Sequence, residues 1–248
     1  MRKDSEAPPM NEQPRNRGAS AGPIATTARP AYVTLVITCH NRARFIDRAI
    51  RSCLAQLILR KHIEIIVVDD HSTDNSLDII KEFHGDVRLF INETNRGVAY
   101  ASNVGLEHAG GGYWMRVDAD DFLNAYACAF MGTILDENPG IDFVYCDHYR
   151  VDEQGAKISK IRLDNENALF EHGAGVLFRT AALREVGGYD ADLRNCEDYD
   201  LLLRLKQKGR QGYYLPVPLY RYYIHGQNMT LGADREAYRK IVEKKHGV

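Results

Sequence analysis

The chain has no cysteine pairs, no surplus of basic charge and no long apolar run, and each absence removes a class of function. Its five cysteines (Cys39, Cys53, Cys128, Cys146, Cys196) are odd in number, scattered and never at CxxC spacing. That pattern excludes a disulfide frame and a thiolate zinc site, and reads as reduced core thiols in a cytosolic protein. A net charge of −2 offers no field for a polyanion, so no nucleic-acid partner is expected. No stretch approaches the roughly 20 apolar residues of a membrane span, and the N-terminus lacks the apolar core of a secretory signal. The expected setting is the cytoplasm, with membrane contact at most peripheral, at the inner face.

Proline is rare beyond residue 30, because five of the eight fall in the first thirty positions. Those thirty residues also have almost no large apolar side chains. Such a segment cannot bury enough surface to offset its ordering entropy, so residues 1–30 are expected to be a disordered tail. With 44% hydrophobic and 27% charged residues, the chain as a whole is ordinary for a globular protein.

From Tyr32 onward, strand-like and helix-like periods alternate. The runs "YVTLVIT", "IEIIVVDD", "VRLFIN" and "YWMRVDADD" read as strands. Between them lie helical patterns, the second capped by Ser72 and the third spanning Gly97–Ala109. Gly105 inside that third helix predicts close packing on the sheet. This alternation implies an α/β fold with a mainly parallel central sheet flanked by helices. After "IDFVYCDHYR" the rhythm changes. A hairpin turning at Gly155, the strand "HGAGVLFR", a short helix, a leucine-rich helix and two last strands, "QGYYLP" and "LYRYYIH", are predicted.

Strand C-termini of a parallel sheet share one edge, where ligands bind. Asp69 and Asp70 end the second strand, and Asp118, Asp120 and Asp121 end the fourth. Isolated strand-end aspartates usually cap turns, but two clusters on one edge point to a ligand. Oxygen-rich sites with few protein ligands suit Mg²⁺ or Mn²⁺, completed by substrate phosphates. Alternation along an extended segment would turn Asp118 and Asp120 toward the same ligand. In "NCEDYDLLLRL", Asp198 shares helical spacing with Leu201, Leu202 and Leu205, which makes it either an inward-facing general base or an acid complementing the helix N-terminus. Gly173 and Gly175 open a strand, as a bulge or as a close approach for a ligand. His225, ending the last strand, is a surface or core residue or a metal ligand.

Six pieces in order resemble family 2 glycosyltransferases of the GT-A fold: "VTLVITCHNR", "IEIIVVDDHSTDNS", "NRGVAYASNVGLEHAGGGYWMRVDADD", "LFRTAALREVGGYD", "CEDYDLLLRL" and "YRYYIHGQNMT". The resemblance implies a single GT-A domain over residues 31–230, with a nucleotide-binding half (31–123), an acceptor half (124–230) and a helical tail (231–248). It implies that Thr38, His40 and Asn41 meet the nucleotide base and that Asp70 hydrogen-bonds it. Asp118 would lie near the ribose and metal, Asp120 would ligate Mn²⁺ or Mg²⁺, and His225 would approach the metal or the diphosphate. Asp198 would be the catalytic base, with Glu197, Gly173 and Gly175 near the acceptor and donor sugar.

The implied reaction is inverting transfer from a nucleotide-diphospho-sugar, UDP favoured, to a hydroxyl of a saccharide or glycolipid in cell-surface polysaccharide or glycolipid synthesis. Where the family often has Pro, an aromatic and Gly, this chain has Thr38, His40 and His71, all expected in the nucleoside pocket, which leaves the base preference open. A polyprenyl-phosphate glycosyltransferase and a non-catalytic sugar-nucleotide-binding protein are the alternatives. The first needs no base, and Glu197-Asp198 argues against it. A nucleotidyltransferase would carry a glycine-rich loop after the first strand, and a signalling receiver domain would be about half this length.

Overall fold

The computed structural model describes residues 32–58, 62–165, 168–170, 173, 175–226, 228, 232 and 234–248. The tail expected over residues 1–30 lies outside the described residues.

The first half alternates as its periodicity requires: β1 (Val33–Cys39), α1 (Ile46–Leu54), β2 (Ile63–Asp69), α2 (Ser76–Lys81), β3 (Arg88–Ile91), α3 (Val98–Glu107) and β4 (Tyr113–Asp118). Next come β5 (Phe122–Leu123), α4 (Ala127–Glu137), β6 (Phe143–Val151), β7 (Lys157–Ile161), β8 (Val176–Arg179) and α5 (Thr180–Glu185). The chain ends with α6 (Glu197–Gln207), β9 (Gly212–Tyr223) and α7 (Arg235–His246). Among the described residues nine strands form one sheet, in the order β3-β2-β1-β4-β8-β6-β9-β5, with β7 on β6. Strands β1 to β4 pair in parallel, whereas β8 runs antiparallel to both β4 and β6.

Helices cover both faces, so the inner strands are apolar on both sides. Val33, Leu35 and Ile37 of β1 pack with Met115 and Val117 of β4 against α1 and α4. Val36, Ile66, Val68 and Trp114 point to the other face, among side chains of α3, α5 and α6. Helix α3 lies so close to β1 that a Cβ on Gly105 would meet Val36 Cγ1 at 2.3 Å, which is the close packing expected there.

Three local readings need correction. Ser72 does not cap α2, whose N-cap is Asn75; its hydroxyl instead accepts from the Asn41 amide at 3.0 Å. The two final strands are one strand, β9, despite Pro216 and Pro218. The prolines fall where β9 shifts register against β6, between Cys146 and His148, so no ladder hydrogen bond is lost there. The DxD segment is not extended: β4 stops at Asp118, residues 119–120 turn, and the Asp121 amide donates to the Asp118 carbonyl at 2.9 Å.

Candidate active site

Register brings the two acid clusters together. Thr38 lies opposite Val68 on one side and Asp118 on the other, and Cys39 lies opposite Asp69. At this edge a cavity of about 420 Å³ opens, a size suited to a small ligand. Thr38, His40, Asp70, Asp118, Asp120, Gly173, Glu197 and Asp198 all line it. Asn41, Gly175, His71 and His225 do not. Three non-glycine residues with positive φ border this region: Asn41 (φ 52), His71 (φ 62) and Cys196 (φ 60). A left-handed backbone at position 71 explains why glycine would sit there easily; its side chain is exposed, outside the nucleoside pocket where the sequence put it.

Acids crowded at a strand end need a cation, and the protein supplies its own. Arg116, on β4 and only 9% exposed, places Nη2 2.7 Å from Asp198, Nη1 3.0 Å from Glu197 and Nε 3.0 Å from Asp118. Burial works against its charge, but Asp118 and Asp198 more than offset this and hold the guanidinium ionised. Asp120 accepts from Arg42 Nε at 2.9 Å and pairs with His225 Nε2 at 3.0 Å. Burial opposes ionisation of Asp120 too, yet these two partners hold its carboxyl below the ordinary range. Asp121 is different: burial first, then the charges of Asp120 and Asp118, push it well above that range. Its Oδ1 accepts from the Tyr223 amide at 2.8 Å.

One guanidinium cannot neutralise three carboxylates. The surplus falls on Asp118 and Glu197: burial raises both carboxyls, and with the neighbouring Asp198 it takes Glu197 to about 7. A carboxyl raised on folding contributes stability that is fully present below its unfolded value near 4.5 and is lost as pH rises through about 7. Glu197→Gln should therefore gain on the wild type between pH 5 and pH 8, by on the order of 1–3 kcal/mol. Urea midpoints at the two pH values check this, and a difference that is constant with pH would refute it.

The other expected residues take up specific positions. Asp70 is buried and accepts from Asn92 Nδ2 and from the amides of Arg96 and Gly97, so it fixes the turn between β3 and α3 as well as lining the cavity. His40 Nδ1 lies 2.9 Å from the Asp70 carbonyl, which can only accept, so Nδ1 carries a proton. Asn41 holds the amides of Thr73 and Asp74 with its Oδ1. Gly173, at φ +39, is pressed against the candidate base: a Cβ there would lie 2.2 Å from Asp198 Cβ. Gly175 packs on Tyr220 and Cys146, away from the cavity. Helical spacing put Asp198 in the buried stripe of α6. The structure leaves it partly open at the cavity, whereas Glu197 and Asp200 are buried more deeply.

Among the described residues no three His, Cys, Asp or Glu side chains converge to hold a metal unaided. Asp118 Oδ1 is nevertheless buried without an aligned hydrogen-bond donor, and Asp120 is kept ionised beside it. Such a set fits a hard dication that brings most of its ligands as phosphate oxygens. His225, paired with Asp120 through Nε2, would stand beside such an ion.

The Glycosyl transferase family 2 model matches residues 34–187, more than half of the chain. The chain belongs to glycosyl transferase family 2. Chondroitin synthase of Escherichia coli is 28% identical over 233 residues, covering 89% of this chain but 33% of the synthase. EpsE of Bacillus subtilis is 30% identical over 202 residues, 76% of this chain and 72% of EpsE. The chain thus spans about a third or less of the first synthases it matches. Staphylococcus aureus TarS in complex with UDP-GlcNAc superposes with a TM-score of 0.72 at 20% identity, over 86% of this chain and 66% of TarS. The mannosyltransferase PcManGT of Pyrobaculum calidifontis, in complex with GDP-Man and Mn²⁺, gives 0.65 at 22% identity, over 88% and 63% of the two chains. The fold of this family 2 member is accordingly GT-A. Helices α6 and α7 lie beyond the residues that the family model matches. Among the described residues, no helix is long and apolar enough to cross a membrane.

Proposed function

We propose that the protein is an inverting glycosyltransferase that moves a sugar from a nucleotide-diphospho-sugar, UDP favoured, to a hydroxyl of a saccharide or glycolipid. One observation carries the reading: Asp118, Asp120 and Asp198 face one cavity, where Arg116 ties Asp118 to Asp198 and Arg42 holds Asp120. A nucleoside would enter between Thr38, His40 and Asp70 at the strand edge. A Mn²⁺ or Mg²⁺ ion held by Asp120 and His225 with the donor's phosphates would neutralise charge on the diphosphate. Asp198, held in place by Arg116, accepts the proton of the acceptor hydroxyl as that oxygen attacks the anomeric carbon from the side opposite the diphosphate. A single displacement inverts the configuration. An anionic acceptor would need no base, so Asp198 favours a hydroxyl over a polyprenyl phosphate.

The names of the related chondroitin and hyaluronan synthases support a place in surface-polysaccharide synthesis, and the UDP-GlcNAc bound to TarS supports a UDP-sugar. Five free cysteines support a reducing, cytoplasmic setting. Incubation with a panel of sugar nucleotides and candidate acceptors should release nucleoside diphosphate from one donor class. Release should require a divalent cation and stop with EDTA. Turnover that is indifferent to EDTA would overturn the metal assignment.

A further inference from the structure

The turn that carries Asp120 is held from outside the cavity by α1. Arg48, in the first turn of that helix, donates from Nη2 to the Asp120 carbonyl at 3.0 Å and from Nη1 to the Glu153 carbonyl at 2.8 Å. Its guanidinium lies 4.5 Å from the ring of Phe122, where β5 begins, and 5.6 Å from that of Tyr223, where β9 ends. One side chain thus joins α1, the acid turn and the tip of the β6–β7 hairpin. The hairpin is shaped to this contact. Gly155, at φ +84, comes so near that a Cβ there would lie 3.2 Å from Phe122 Cζ and 3.9 Å from Arg48 Nη1. Two residues spaced by three before Arg48 serve the same site. Arg42 Nε holds the Asp120 carboxylate, and the Phe45 ring stacks on His225 with centroids 6.4 Å apart and planes 16° apart.

Stability alone is a poor reason for an arginine at this place. Burial works against its charge, and Nε is buried without a hydrogen-bond partner. An apolar side chain would pack among Phe45, Phe122 and Tyr223 without that cost. What the guanidinium adds is a rigid fork of donors that spans two carbonyls from different segments. We infer that Arg48 is a positioning residue for the divalent cation: by holding the Asp120 carbonyl it fixes the turn that aims the Asp120 carboxylate, and so sets the affinity for the ion without touching it. The inference rests on the transferase reading above. Arg48 does not line the cavity, so its effect reaches the ion through the turn. Without the carbonyl bond the turn at residues 119–120 can rotate, and Arg42 can keep the carboxylate that the ion needs. Hydrogen-bond partners behind a metal ligand typically carry 10–100-fold in metal affinity.

The test titrates Mn²⁺ into protein held with UDP and reads the free ion by electron paramagnetic resonance, with UDP alone as the blank. Arg48→Met should bind Mn²⁺ about 10–100-fold more weakly than the wild type. Arg48→Lys should recover part of the loss, because an ammonium can still reach one carbonyl. Arg44→Gln is the control: it breaks the ion pair between exposed Arg44 and Glu153 of the hairpin, and should bind Mn²⁺ as the wild type does. Thermal midpoints in EDTA report the structural cost of each variant. Should Arg48→Met fail to fold, Arg48→Gln takes its place with the same expectation. A lowered midpoint with wild-type Mn²⁺ affinity would make Arg48 a structural residue and overturn the inference. An equal loss of affinity in Arg44→Gln would overturn it too, by assigning the effect to the hairpin. No saturable Mn²⁺ binding by the wild type would overturn the transferase reading, and this inference with it.

Discussion

Arg116→Met is expected to destabilise the protein by about 3–5 kcal/mol, the usual consequence of leaving buried charges without their partner. Three carboxyl groups depend on this one guanidinium, and Glu197 is as buried as Arg116 itself. For a chain of this size, each kcal/mol moves the thermal midpoint by about 2–4 °C, so a fall of roughly 6–20 °C follows. The loss should be larger at pH 8 than at pH 5, because the stranded carboxyl groups can take up protons at the lower pH. Arg116→Lys should retain part of the stability, since its ammonium can serve one or two acids but not three in a fork. A midpoint within about 2 °C of the wild type for Arg116→Met would mean that the acids are already neutral or solvated.

Asp198→Asn should lower turnover by about 10²–10⁴-fold, the usual contribution of a positioned base. The amide keeps the shape of the carboxylate and its place against Gly173, but it cannot accept the acceptor's proton. The affinity for the nucleoside diphosphate should be unchanged, because the proposed nucleoside contacts are Thr38, His40 and Asp70 rather than Asp198. Steady-state release of nucleoside diphosphate from the donor that the wild type turns over, together with calorimetric binding of that nucleotide, separates the two quantities. A variant that keeps wild-type turnover would move the base role elsewhere, with Glu197, about 7 in its titration and also facing the cavity, as the next candidate.

The strands and helices of the first half were legible because burial on both sheet faces writes itself as apolar runs, and amphipathic helices as a 3.6 period. The strand-end acids were legible for a topological reason: parallel strands bring Asp70 and Asp118 to one edge whatever the helices do. Arg116 was not legible. It sits mid-strand among Trp114, Met115 and Val117, where its side chain reads as an interruption. One of its three partners, Asp118, ends the same strand, and the other two lie on α6, 81 and 82 residues away. The seating of α7 was hidden for the same reason, since Lys245 and His246 meet Asp200 only after β9 has crossed the sheet. The prolines of β9 misled the reading because a proline breaks a strand only where its amide is needed, and the register shift removes that need. Gly173 was noticed as a glycine, but its reason, contact with Asp198, is a tertiary one.

The central claim is that the acids of "YWMRVDADDFL" hold a nucleotide's cation. Thermal stability with UDP, GDP, dTDP and CDP, each with Mn²⁺, Mg²⁺ or EDTA, tests it most directly. A ligand at a hundred times its Kd adds about 2.7 kcal/mol, a midpoint rise of roughly 5–10 °C. The account predicts such a rise with one nucleotide, largest with UDP, absent with EDTA and abolished by Asp120→Ala. If no nucleotide raises the midpoint with either metal, or if Asp120→Ala leaves the rise intact, the acids at this strand edge serve Arg42, Arg116 and the fold alone.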